Sequence, residues 1–124
     1  MSTLTVSFGI LLAAALLGGM LALRHMRDPP IAPPWLLGAS HGLAGATGLI
    51  ALLFSLRGPP HGVAMGVGGF GRIAAVLLVL ALLAGLAILV VRLRHRRIPG
   101  LLLGIHATLA VAGSVILAAY ALIG

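Results

Sequence analysis

A chain of 124 residues that is 61% hydrophobic and only 7% charged cannot clothe its apolar side chains in a polar shell, which excludes a soluble globular domain and places it in a membrane. The charge is one-sided: eight basic residues, all arginine, face the single acid Asp28, and in so apolar a chain their partners are lipid headgroups, cofactor carboxylates or neighbouring subunits, not nucleic acid. No cysteine is present, so disulfides, thiolate metal sites, covalent haem attachment and cysteine nucleophiles are excluded.

Taken in order, the first apolar run covers 4–23 and closes on Arg24, His25 and Arg27. A cleavable export signal carries its positive charge ahead of the apolar run; here the charge follows it, which predicts a retained helix with an exported N-terminus. Gly9, Ala13, Ala14 and Gly18 give this helix two small-xxx-small pairs suited to close packing. Residues 28–34 then hold four prolines in a stiff connector through which no helix continues.

Trp35 opens the second span, 35–56, at the depth amphipathic rings prefer, and inside this uncharged run lies His41. A step of 100° per residue puts Gly45 and Gly48 within about 40° of His41 and Gly38 within about 60°, a face almost without side chains. The longest connection, 57–72, contains Pro59, Pro60, His61 and six glycines, and reads as a loop folded over the mouth of the bundle. The third span, 73–91, has Ala84 and Gly85 at mid-helix and ends in Arg92, Arg94, His95, Arg96 and Arg97. A tight turn at 98–100 leads to the fourth span, 101–123, which carries His106 and, near its far end, Tyr120.

Six arginines flank the first and third connections and two the second, which predicts that the first and third face the cytoplasm and both termini lie outside. The expected architecture is an all-α membrane protein, one domain over 1–124, forming a four-transmembrane-helix bundle from two parallel helical-hairpin repeats. In each hairpin the first helix ends in a basic cluster with an Arg-His pair (Arg24-His25, Arg94-His95), a proline follows, and a histidine stands seven residues later, Pro34 to His41 and Pro99 to His106. Seven residues at 1.5 Å rise put both histidines roughly 10 Å inside a core about 30 Å thick, at one depth on different helices. The composition, arginine-rich and high in alanine, leucine and glycine, points to a bacterial inner membrane.

An ionisable side chain within a membrane span is a functional candidate by default. Neutral imidazole ligates haem iron, and a six-coordinate haem b takes one histidine from each side. A flat macrocycle needs clearance, which Gly38, Gly45 and Gly48 offer beside His41, and Ala110 and Gly113 beside His106. Its propionates need cations, for which Arg24, Arg27, Arg94 and Arg97 are the candidates. The bland alternatives are interhelical hydrogen bonding for the histidines and packing seams for the small residues. No acid lies within a span, unlike the membrane-embedded glutamate of small multidrug exporters, and two histidines alone are a thin zinc shell.

On His41, His106 and their small neighbours Gly38, Gly45, Gly48, Ala110 and Gly113, the chain resembles the four-helix b-type membrane cytochromes, in which transmembrane histidines bind haem b inside a bundle. The resemblance implies one bis-histidine haem b and electron transfer near the cytoplasmic side, with a quinone or a partner's cofactor, inside a larger respiratory or photosynthetic complex. The alternative is a non-redox accessory subunit of such a complex, binding a chlorin pigment or no cofactor. A haem site predicts that the non-coordinating nitrogen of each ring donates to a carbonyl one turn back, at Leu37 or Leu102.

Overall fold

The computed structural model describes residues 1–27 and 34–123. Four long helices, α1 (Thr3–Arg27), α2 (Trp35–Ser55), α3 (Phe70–Leu93) and α4 (Gly100–Ile123), make up most of it, and the described residues include no strand. Each is long and apolar enough to cross a membrane. In hydrocarbon every backbone polar group must be satisfied internally, and helices are how a chain of this composition does so.

The helix ends follow local chemistry. Ser2 Oγ accepts the backbone N–H of Thr5 at 3.1 Å and so caps α1. Pro34, in an extended conformation, sets the start of α2; the rest of the expected connector lies outside the described residues. Helix α3 begins at Phe70, ahead of the apolar run at 73, because Phe70 packs on the core and Gly71 lies under the ring of Tyr120. At its other end His95 adopts a left-handed φ of 53°, and the N–H of Arg96 donates to the carbonyl of Val91 at 3.1 Å. This is a Schellman turn with histidine at the position glycine usually takes.

Helix α1 packs along α2 and α3 along α4, and the two hairpins meet more sparsely through α1–α4 and α2–α3. The tightest approach in each hairpin is a leucine over a glycine. A Cβ on Gly48 would stand 2.7 Å from Leu11, and one on Gly113 would stand 2.8 Å from Leu78. Ser7 adds a buried hydrogen bond, its hydroxyl donating to the Gly48 carbonyl at 2.9 Å.

The packing is uneven along the bundle. Leu11, Leu49, Leu52, Ala74, Ala75, Leu78, Leu117 and Tyr120 form one core toward the end opposite the arginine clusters at 24–27 and 92–97. At the arginine-rich end, over 15–27, 35–47, 82–93 and 100–112, no residue is buried. The connection after α2 folds back onto the closed end through a short 3-10 turn, Val63–Met65, flanked by Gly62 and Gly66 with φ of 67° and 77°. Tyr120 holds it: its hydroxyl accepts the His61 backbone N–H at 3.1 Å, while Val67 is buried beneath.

A facing histidine pair as the candidate functional site

His41 on α2 and His106 on α4 meet across the bundle, ring centres 5.9 Å apart and ring planes at 88°. Both are half-buried, at the boundary between the packed end and the open one. Each is tethered to the neighbouring helix of its own hairpin. Nδ1 of His41 lies 2.8 Å from the carbonyl oxygen of Ala14 on α1, and Nδ1 of His106 lies 2.8 Å from that of Ala81 on α3. A carbonyl only accepts, so each Nδ1 carries the proton and donates it.

In a neutral ring that assignment leaves Nε2 with its lone pair. Among the described residues neither Nε2 has a hydrogen-bond partner. Among the described residues no buried side-chain nitrogen or oxygen is without one either, so both Nε2 atoms are accessible. A metal bonded at roughly 2 Å to both rings would need the two Nε2 atoms turned toward each other, and ring centres 5.9 Å apart are near enough for both to reach it. Two imidazole nitrogens on different helices, with Gly45 leaving space beside His41, are a donor set that could hold a metal centre such as haem iron.

The carbonyls expected to receive the histidines, those of Leu37 and Leu102, are not the ones used. Along a helix those carbonyls already accept bonds from the following turn, and a histidine reaching across to the next helix ties the hairpin together as well. Two glycines make the reach possible. A Cβ on Gly18 would stand 2.8 Å from Cε1 of His41, and one on Gly85 would stand 3.1 Å from Cε1 of His106. Sequence alone offered a signal, an alanine followed four residues later by glycine in α1 and again in α3, but helix periodicity does not say which neighbour fills the gap.

The other candidates separate. Gly48 and Gly113 are closed by Leu11 and Leu78, so they serve helix contact in this structure and leave no space for a macrocycle. Gly45 is half-buried with nothing near the position of an added Cβ, Ala110 is half-buried, and Gly38 lies beside the guanidinium of Arg92, 3.1 Å from where its Cβ would be. Arg24, Arg27, Arg94 and Arg97 are all exposed at the open end; Arg92 is the half-buried one, turned toward α2. His25 and His95 are exposed, and His61 stacks edge-on against Tyr120 at the closed end.

Among the described residues no three His, Cys, Asp or Glu side chains converge as a metal cluster. An open apolar groove of about 570 Å³ runs along α4 past Gly100, Gly104 and Thr108, and the histidines are not part of its lining. No family model, curated protein or solved structure matches the chain.

Proposed function

We propose that this protein is a b-type haem-binding membrane subunit for electron transfer, holding one haem between Nε2 of His41 and Nε2 of His106. The observation that carries this reading is the pair itself: facing imidazoles at 5.9 Å, each anchored through Nδ1 to a carbonyl and each with Nε2 unpartnered. Bound imidazoles ordinarily donate their second nitrogen to a carbonyl or carboxylate in this way. When bound, the haem supplies one-electron transfer; the chain supplies axial ligation, orientation and a low-dielectric wall. Gly45 offers clearance on the His41 face, where nothing lies near the position of an added Cβ, and Arg24, Arg27, Arg94 and Arg97 at the same end are the cations for the carboxylates of the macrocycle. The exposed arginines Arg24, Arg27, Arg94 and Arg97 serve lipid headgroups first.

The same reading takes the chain as two parallel repeats. Leu11 over Gly48 and Leu78 over Gly113, Ala14 to His41 and Ala81 to His106, are matching contacts in the two hairpins and support that relation. Under the positive-inside rule the open end is cytoplasmic and the termini lie outside, in a bacterial inner membrane. Electron exchange then takes place at the cytoplasmic half, with a quinone or the cofactor of a partner subunit in a larger respiratory or photosynthetic complex.

The test is the visible spectrum of the purified protein, oxidised and dithionite-reduced. A six-coordinate low-spin haem b is expected, and His41→Ala or His106→Ala should abolish its reduced α-band. Full six-coordinate spectra in both single mutants would overturn the assignment. A colourless wild type would leave the accessory-subunit alternative.

A further inference from the structure

Helices α1 and α3 carry no ligand, yet each touches a histidine at one glycine. In an α-helix the Cα–Cβ bond tilts toward the N-terminus, so a side chain covers the turn before it and shields the carbonyl four residues back. Gly18 stands four residues after Ala14, and Gly85 four residues after Ala81. With hydrogen in place of Cβ, the carbonyls of Ala14 and Ala81 keep their helical bonds and still present a second lone pair outward. Those two carbonyls are the ones the histidines find.

We infer that Gly18 and Gly85 are positioning residues: by uncovering the Ala14 and Ala81 carbonyls they lock both imidazoles in the Nδ1–H tautomer before any ligand arrives. The consequence is chemical. Both Nε2 atoms are left as electron-pair donors, which is the form a metal centre requires and a directly hydrogen-bonded imidazole pair does not have. Two rings in this form cannot bond each other through Nε2, because neither Nε2 has a proton to give. The pair is therefore set to donate both lone pairs to a metal centre, and cannot close on itself. This inference rests on the proposed reading only for the identity of that acceptor; the tautomer lock stands on the hydrogen bonds themselves.

The two glycines are not equal. An alanine methyl at position 18 would sit 2.8 Å from His41 Cε1, closer than side-chain carbons approach, whereas at position 85 it would sit 3.1 Å from His106 Cε1, a contact relieved by a shift of a few tenths of an ångström. Gly18→Ala should therefore detach His41, and Gly85→Ala should only weaken the hold on His106. Gly9 on α1, with nothing near the position of an added Cβ, provides the control.

Nitrogen-15 histidine NMR of the haem-free full chain in detergent reads the tautomer directly. In the wild type both His41 and His106 should be Nδ1–H, in roughly fivefold or greater excess over the other form, the ratio one ordinary hydrogen bond gives. Gly18→Ala should bring His41 to a mixture while His106 keeps its form; Gly9→Ala should change neither. A tautomeric mixture in the wild type overturns the inference, whatever the mutants do, and so does a folded Gly18→Ala protein with His41 still locked. If Gly18→Ala fails to fold, the wild-type spectrum and Gly85→Ala decide, the latter expected to lower the excess at His106 alone. Loss of the haem reading is recognised separately: locked tautomers in a wild type that takes up no haem would leave the glycine roles intact and remove only the acceptor's identity.

Discussion

Gly45 and Gly48 stand less than a turn apart on α2 and predict opposite phenotypes. Gly48 is sealed under Leu11, so Gly48→Ala must push two helices apart, and overpacking of this kind costs about 1–3 kcal/mol. Thermal unfolding in detergent should show that loss for Gly48→Ala, and a similar one for Gly113→Ala beneath Leu78, with or without haem. Gly45 has nothing within reach of an added Cβ, so Gly45→Leu should leave the haem-free fold as stable as the wild type while emptying the proposed haem site. Unchanged haem content in folded Gly45→Leu would remove this glycine from the site. At this scale the sequence made the pairing of His41 with His106 legible, because equal spacing from Pro34 and Pro99 fixes depth and face. The carbonyls that hold them were not legible, since a carbonyl's availability depends on the missing Cβ of a residue on another helix and on that helix being the neighbour. For the same reason five small residues read as one class of clearance divide here into closed contacts and open space.

The helices themselves were legible from uninterrupted apolar runs bounded by arginine, proline and glycine, and their ends were less so. Residues 70–72 look like loop by composition, yet they extend α3 because Gly71 lets the ring of Tyr120 lie against the helix. The connection after α2 lies over the bundle end as its glycines and prolines suggested, held by a hydrogen bond that no local pattern encodes. Tyr120→Phe removes the acceptor of the His61 N–H and should cost about 1 kcal/mol. Amide exchange at His61 should accelerate several-fold while the amides of α2 and α4 stay protected; unchanged exchange at His61 would show that the loop is held by Val67 alone. The other end of α3 offers the opposite sign. His95 occupies a left-handed position that disfavours a side chain by roughly 1 kcal/mol, so His95→Gly should raise stability by about that much. A lower melting temperature for His95→Gly would mean that the exposed imidazole makes a compensating contact.

For the molecule as a whole, the division between a packed end and an open end matters more than the count of spans. With the leucine core packed at the far end, the proposed cofactor belongs between the histidines and the arginine-rich end. The absence of cysteine makes this directly measurable, because a single introduced cysteine takes a spin label without competition. Leu101 and Leu122 are both exposed on α4, on opposite sides of His106. At 1.5 Å rise per residue they stand roughly 8 Å and 24 Å from the histidine along the helix axis. Relaxation of a spin label by a ferric haem falls steeply with distance, so a label at Leu101→Cys should relax far faster in the haem-loaded protein than in the haem-free one, and a label at Leu122→Cys should scarcely change. Under the proposed ligation, His106→Ala in the labelled background should erase the difference at position 101. Equal enhancement at the two positions, or a larger one at 122, would place the haem outside the open half-bundle and detach it from the pair formed by His41 and His106.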